Sequence, residues 1–109
     1  MMDANNREQM LSGIDAIDVI NKNIGQFVIV RFWAPWCSSC RANEVTVKSV
    51  LNQKADICTA FKVNVDREPE LTRHLNVQYL PELIIFDREG KAHHLTGEVT
   101  EQVMLSHIS

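Results

Sequence analysis

The chain has 109 residues, a net charge of −3, and hydrophobic and charged fractions of 45% and 23%. This length and composition are typical of one soluble globular domain with its own apolar core. The acidic balance argues against nucleic acid or an anionic membrane as a partner, and no apolar stretch approaches the roughly 20 residues that cross a bilayer.

The N-terminal segment is polar, and residues 1–8 are predicted to be a flexible end of a single domain that covers 1–109. The segment has no apolar core of the kind found in signal peptides, so we expect a cytoplasmic location. The presence of a short first strand near 7–11 is left open by the sequence.

The first helix and the first long strand follow. Ser12 is a candidate cap for a helix over 13–23, and Gly25 is expected to end that helix. Isoleucines recur there at near-helical spacing, at Ile14, Ile17, Ile20 and Ile24. Residues 27–33 form an apolar run rich in β-branched and aromatic side chains, which predicts a buried central strand.

The stretch 37–53 carries signals for both helix and strand. Three β-branched residues favour a strand, namely Val45, Val47 and Val50. A helical stripe and a length of about 15 residues favour a helix, which we predict. The stripe consists of Cys40, Glu44, Val47 and Leu51.

The next segment is predicted to be a strand over 57–65, with a turn at Asp66. A helix should follow and reach Leu75, because Pro69 fits a first helical turn and the acids Glu68 and Glu70 favour the positive end of a helix.

The C-terminal part is predicted to be a hairpin followed by a helix. Strands over 83–86 and 91–96 flank a turn at 87–90, and Gly97 ends the hairpin. The expected buried face of the last helix consists of Val99, Val103, Met104 and Ile108. A parallel strand–helix–strand unit followed by an antiparallel hairpin predicts an α/β domain with a central mixed sheet and helices on both faces.

The cysteine pair Cys37 and Cys40 is the strongest chemical signal in the sequence. Two intervening residues allow a small disulfide ring to close and reopen, and the partial positive charge of a helix N-terminus favours thiolate over thiol. In a reducing compartment a close pair is more often catalytic or metal-binding than structural, and a redox site is the favoured interpretation. The alternatives are two unreactive thiols, or a zinc or iron–sulfur site that would need ligands from a second chain.

Other candidate residues are predicted to be structural. Cys58 lies on a predicted strand and is expected to be a small core residue. His93 and His94 point to opposite faces of a strand, so they do not form a metal pair by themselves. All four histidines, including His74 and His107, are expected at the surface, and no metal site or cofactor is predicted.

Several segments, in order along the chain, resemble the thioredoxin family. They are 32–40 (FWAPWCSSC), 62–66 (KVNVD), 79–86 (YLPELIIF), Gly90 and Gly97. The resemblance covers about residues 14–108. It implies the thioredoxin fold and the activity of a protein dithiol–disulfide oxidoreductase, which transports electrons without a bound cofactor.

The resemblance also implies roles for individual residues. Cys37 would be the exposed nucleophile and Cys40 the more buried resolving thiol, with Trp36 flanking the site. Pro81 would be a cis-proline facing the cysteines, and the backbone of Leu80 would pair with an extended substrate segment. A cis peptide bond before proline is uncommon and usually marks a constrained functional turn.

Three features depart from the family pattern. Ser38 and Ser39 replace a common Gly-Pro, which should loosen the helix start and offer hydroxyl groups to a thiolate. Val45 replaces a kinking proline, which predicts a straighter helix. Arg31 replaces a buried acid that is thought to help deprotonate the resolving cysteine.

Arg31 cannot accept a proton, but it brings a positive charge towards the thiols. At about 6 Å and an effective dielectric of about 20, one charge interacts with a thiolate by roughly 2.8 kcal/mol. Lys62 is expected beside it, and Glu44, one helical turn after Cys40, is the predicted counter-ion of Arg31. Because a stabilised thiolate makes the disulfide a stronger oxidant, we expect a less reducing couple than in an ordinary thioredoxin. The alternative is that Arg31 extends to solvent and tunes nothing.

The predicted function is disulfide exchange with protein substrates through Cys37 and Cys40, after which an external reductant, a reductase or a small thiol, restores the dithiol. We expect a monomer with no nucleic-acid or membrane partner. The alternative is a binding or assembly module with weak or no turnover, which the substitutions at Ser38, Ser39, Arg31 and Glu82 favour.

Overall fold

A computed structural model describes residues 8–13 and 16–108. The strands in this part of the chain are β1 (Gln9–Met10), β2 (Phe27–Trp33), β3 (Cys58–Asn64), β4 (Glu82–Phe86) and β5 (Ala92–Thr96). The helices are α1 (Ala16–Lys22), α2 (Cys40–Lys54), α3 (Pro69–His74) and α4 (Glu101–Ser106).

The strands form one mixed sheet in the order β1-β3-β2-β4-β5. β1 and β2 run parallel to β3, whereas β4 is antiparallel to both β2 and β5. Strand β2 lies at the centre with both faces covered, which explains its apolar sequence. The predicted α/β class and mixed sheet are confirmed.

Side chains alternate between two apolar cores, one on each face of the sheet. Helices α2 and α4 cover the face that carries Ile29 and Leu83. Helices α1 and α3 cover the opposite face, which carries Val30 and Ile84. The sheet is therefore shared by two cores, and the central strand contributes to both.

The N-terminal region contains the short strand that the sequence left open, because β1 pairs with β3 through Gln9 and Met10. Residues 1–7 of the predicted flexible end lie outside the described residues. Helix α1 is described from Ala16 onwards. Its predicted start at 13 is not tested, because residues 14 and 15, and with them Ile14, also lie outside the described residues.

Helix α2 begins at Cys40, three residues after the start of the predicted stretch. Cys37, Ser38 and Ser39 form a tight turn before it. In this turn the backbone N–H of Cys40 donates to the carbonyl of Cys37 (3.2 Å), and that of Arg41 donates to the carbonyl of Ser38 (3.2 Å). Such short-range bonds are typical of a 3₁₀-type turn that leads into an α-helix.

One member of the predicted helical stripe on α2 and one member of the predicted buried face of α4 are exposed to solvent. Glu44 is exposed, and its neighbour Asn43 takes the buried position on α2 with no exposed surface. Val103 is 43% exposed, because the short helix α4 directs Met104, and not Val103, towards the sheet. Val99 and Ile108, the other two predicted core residues of this region, are buried just outside the ends of α4.

Candidate active site

The cysteine pair lies where the central strand β2 gives way to α2. Cys37 and Cys40 form a disulfide, and their Cα atoms are 5.4 Å apart, which is within the usual range for bonded cysteines. The two residues differ in exposure, at 9% for Cys37 and 2% for Cys40. An attacking group from solvent therefore reaches Cys37 in preference to Cys40.

The two serines between the cysteines have different environments. Ser38 is exposed, and Ser39 is half-buried with its hydroxyl oxygen 3.8 Å from the sulfur of Cys37. Ser39 occupies the cap position of α2, but its side chain makes no capping hydrogen bond. Its hydroxyl is therefore free to interact with sulfur, as the sequence interpretation requires.

The peptide bond between Leu80 and Pro81 is cis, which confirms the predicted isomer. Leu80 packs against the small cluster formed by the two cysteines and Ala34. Within the described residues, neither the N–H nor the carbonyl of Leu80 takes part in a backbone hydrogen bond. These two groups are therefore open to pairing with another polypeptide.

An apolar groove lies beside the disulfide, between Trp36 and the segment before Pro81. Trp36 and Tyr79 are 68% and 69% exposed, and both line a cavity of about 210 Å³ together with Val77 and Leu80. The indole N–H of Trp36 donates to the carboxylate of Asp66 (3.0 Å). This bond fixes the ring while leaving its face open to solvent.

The counter-ion of Arg31 is Glu8, and the prediction of Glu44 is wrong. The Nε and Nη2 groups of Arg31 donate to the two carboxylate oxygens of Glu8 at 2.7 and 2.9 Å. Glu8 is brought to Arg31 by β1, which adds the N-terminal segment to the sheet edge beside β3. Arg31 itself is 3% exposed, so the alternative in which it extends to solvent is also wrong.

A second cavity, of about 170 Å³, lies behind the disulfide on the α2 face of the sheet. It is lined by both cysteines and by the charged residues Arg31, Arg41, Glu44 and Lys62. Lys62 is the register partner of Arg31 on β3, and its ammonium group is 5.9 Å from the centre of the Trp33 ring. The expected pair of cations near the thiols is therefore present, with Glu44 at the same cavity.

Cys58 is fully buried on β3, as predicted. Burial raises the pKa of its thiol to about 12, so this sulfur stays protonated at neutral pH. Within the described ranges no group of three or more candidate ligands is arranged to hold a metal ion.

The histidines only partly match the prediction of four surface residues. His74 and His94 are exposed, whereas His93 and His107 are half-buried with their rings 5.3 Å apart. His93 also contacts the carboxylate of Asp87 (3.1 Å), and this interaction lowers the pKa of Asp87.

Three residues near the site escaped the sequence analysis. Glu8 stands in a polar segment with nothing to mark it, and Asp66 was assigned only to a turn. Asn43 carried a readable signal, since it follows Cys40 by three residues and therefore shares its helix face. That face is otherwise apolar, which makes a buried amide there conspicuous.

The fold and the site together define a class of protein. A disulfide-bonded cysteine pair joins a central strand to a helix, and a cis-proline loop packs against it. Cys37 is largely buried in the disulfide form, not exposed as expected, but it is the more accessible of the two and follows Trp36, which lines the apolar groove. This arrangement is that of a redox-active thiol–disulfide site on an α/β scaffold.

Comparison with known proteins gives the family. The thioredoxin family model matches residues 16–109. A thioredoxin from Griffithsia pacifica is 32% identical over 89 residues, which are 82% of this chain and 80% of the relative. A solved thioredoxin structure from Halobacterium salinarum is 19% identical, covers 100% of this chain and 97% of its own, and superposes with a TM-score of 0.83, which supports the fold. The chain belongs to the thioredoxin family and is a protein dithiol–disulfide oxidoreductase.

A further relative joins two activities in one chain. It is a bifunctional thioredoxin reductase/thioredoxin from Mycobacterium leprae, 28% identical over 112 residues, which are 100% of this chain and 24% of the relative. The family assignment and the bonded cysteine pair do not favour a binding module without turnover.

Over residues 8–13 and 16–108, no helix combines the length and the apolar character that crossing a membrane requires.

Proposed function

We propose that Cys37 is the nucleophile and Cys40 the resolving thiol of this oxidoreductase. The Cys37 thiolate attacks one sulfur of a substrate disulfide, forms a mixed disulfide and releases the other sulfur as a thiolate. Cys40 then attacks the Cys37 sulfur and releases the second substrate thiol, so two electrons pass from the protein to the substrate. The observation that carries this assignment is the difference in exposure between the two bonded residues, 9% for Cys37 against 2% for Cys40.

The second step is intramolecular and is therefore fast relative to escape of the mixed disulfide. The helix N-terminus at Cys40 favours the thiolate form of the nearby cysteines, and the hydroxyl of Ser39, 3.8 Å from Cys37, supports the same charge. Ser39 also takes the place of the family's proline and so leaves the turn free of it, whereas Ser38 takes the place of the glycine and is exposed.

The substrate is held in an extended conformation beside Pro81. The unpaired N–H and carbonyl of Leu80 pair with the substrate backbone, in the manner of a strand added to a sheet edge. The open face of Trp36 contacts the residues that flank the substrate cysteine. These contacts select polypeptides over small disulfides without requiring a particular sequence.

The charged residues behind the disulfide adjust the reduction potential of the Cys37–Cys40 couple. Three cationic side chains and Glu44 line that cavity, and Glu8 compensates Arg31. Among the described residues, these charges sum to one positive charge in excess. This excess, carried by Lys62 and Arg41, favours the dithiolate over the disulfide, but less than two uncompensated cations would. The proposed couple is therefore moderately less reducing than that of an ordinary thioredoxin.

The protein works as a cytoplasmic monomer without a bound cofactor, and an external reductant returns two electrons to the Cys37–Cys40 disulfide. The relative that joins a reductase to a thioredoxin supports a reductase of that kind as the donor.

Reduction of insulin disulfides by the wild type and by two variants tests the roles of the cysteines. Cys37→Ser should abolish reduction, because no nucleophile remains. Cys40→Ser should stop turnover and accumulate a mixed disulfide with the substrate, visible by non-reducing electrophoresis. Cys58→Ala serves as the control and should retain activity, since Cys58 is buried and protonated. Reduction by Cys37→Ser, or none by the wild type, would reject the assignment.

A further inference from the structure

We propose that Asn43 is a positioning residue that holds the cis-proline loop in register with the cysteine-bearing end of α2. Its side chain has no exposed surface, although the rest of the α2 core face is apolar. Burying an amide costs free energy unless its donor and acceptor are both satisfied. The proposal rests on the proposed pairing of substrate with Leu80.

The contacts of Asn43 reach across to the connection between β5 and α4. Its Nδ2 donates to the carbonyl of Gly97 (3.1 Å), and its Oδ1 accepts from the N–H of Val99 (2.8 Å). One amide thus bonds two backbone groups on either side of residue 98. Both bonds are satisfied only when the connection sits at one distance from α2.

The same connection holds the cis-proline loop. The N–H of Gly97 donates to the carbonyl of Pro81 (2.8 Å), and Gly97 has a φ of 84°, a conformation that favours glycine. Asn43 lies one helical turn after Cys40 on the same face. Hydrogen bonds therefore link the helix that carries Cys40 to the residue that follows Leu80.

This link has a consequence for substrate choice. If Leu80 pairs with the substrate backbone while Cys37 attacks its disulfide, the two groups must stay at a fixed separation. Displacements of about 1 Å can reduce the rate of a reaction that depends on such alignment by up to about a hundredfold. A small disulfide without a peptide backbone does not use Leu80 and should not depend on Asn43.

Asn43→Leu tests the inference, because leucine keeps the approximate size of the side chain and removes both hydrogen bonds. Pre-reduced protein is mixed with insulin or with hydroxyethyl disulfide, and oxidation is followed by the fluorescence of Trp33, which packs against the cysteines. The second-order rate constant with insulin should fall about tenfold or more, whereas that with hydroxyethyl disulfide should stay within about twofold of the wild type.

Ser49→Ala is the matched control. Ser49 also lies on α2 and donates to Glu101 beyond the same connection (2.5 Å), but it is two turns further from the cysteines. Loss of this bond should leave both rate constants near their wild-type values. A general loosening of the contact between α2 and α4 would instead lower the insulin rate in both variants.

Asn43→Asp provides a readout that does not depend on the leucine variant folding. A protonated carboxyl donates and accepts as the amide does, whereas a carboxylate repels the Gly97 carbonyl. Burial raises the pKa of such a carboxyl, so the ratio of variant to wild-type insulin rates should approach one in mild acid and fall as pH rises. The ratio for hydroxyethyl disulfide should show no such trend.

If Asn43→Leu lowered the rate constants for insulin and hydroxyethyl disulfide equally, or lowered neither, the proposed role of Asn43 would be overturned. It would also be overturned if the ratio of Asn43→Asp to wild-type insulin rates did not change with pH. The proposed function fails separately, because in that case Cys37→Ser would still reduce insulin whatever residue occupies position 43.

Discussion

Arg31 is held in the core by one carboxylate. The side chains of Arg31 and Glu8 are 4% and 11% exposed, and two parallel hydrogen bonds join them. Moving both charges out of water costs several kcal/mol, which a bidentate geometry of this kind largely offsets. Removing either partner leaves the other charge buried and uncompensated. The loss of stability on removing one partner is therefore larger than the net contribution of the intact pair to stability.

The change Glu8→Gln should therefore destabilise the protein. One acceptor for Arg31 remains, so we expect a loss on the order of 2–3 kcal/mol, somewhat below the loss for complete removal of a partner from a buried pair. Urea unfolding of Glu8→Gln, Arg31→Met and the double variant measures the coupling between the two residues. Additive effects of the two substitutions would show that the pair does not act as a unit.

The chemistry at Arg31 was predictable from the sequence, but its partner was not. Strand alternation placed Arg31 on one face of β2, and the resemblance placed Lys62 beside it, as observed. The choice of Glu44 relied on spacing along one helix. Glu8 instead reaches Arg31 because β1 joins the far edge of the sheet, and such a contact between distant segments leaves no periodic signal.

At the scale of the elements, polar contacts fasten α2 to α4. The carboxylate of Glu101 at the start of α4 accepts from the hydroxyl of Ser49 (2.5 Å) and from the amide of Gln53 (2.7 Å). The first of these hydrogen bonds, and then the second, lowers the pKa of Glu101. The two hydrogen bonds therefore favour the ionised form of this carboxylate.

Stability should consequently fall in acid in a way that depends on Glu101. A lowered pKa in the folded state contributes stability above the unfolded-state pKa, and this is lost as pH falls through the folded value. Glu101→Gln should be less stable than the wild type near pH 7, and urea unfolding should show this difference shrinking below about pH 4.5. Glu98→Gln, an exposed neighbour, is the control and should show no comparable trend. A stability difference between Glu101→Gln and the wild type that does not shrink as the pH falls would contradict the prediction.

The ends of elements were harder to predict than their types. Apolar periodicity identified the strands and the order of the helices because it reports which face is buried. It did not reveal that Cys37–Ser39 forms a turn, since that depends on local hydrogen bonds before α2. Nor did it separate Asn43 from Glu44, because positions three and four residues after Cys40 lie almost equally close to one helix face.

At the scale of the whole molecule, the sheet order gathers charges from distant segments around one disulfide. Glu8 precedes β1, Arg31 lies on β2, Lys62 lies on β3, and Glu44 lies on α2. Three of these side chains line the cavity behind the cysteines, and the fourth neutralises Arg31. The electrostatic field at the sulfurs therefore depends on the folded structure, because unfolding separates these charges from the cysteines.

The reduction potential measures that field. With one positive charge in excess at the cavity, equilibration with glutathione should give a value less negative than the roughly −270 mV typical of a thioredoxin. Glu8→Gln removes the negative charge that compensates Arg31 and should make the reduction potential still less negative. Arg31→Met leaves the negative charge of Glu8 uncompensated and should make the potential more negative. Since about 30 mV corresponds to 1.4 kcal/mol, urea unfolding of the oxidised and reduced forms gives an independent check of each shift. A wild-type potential at or below that of ordinary thioredoxins, unmoved by either substitution, would mean that these charges do not act on the sulfurs.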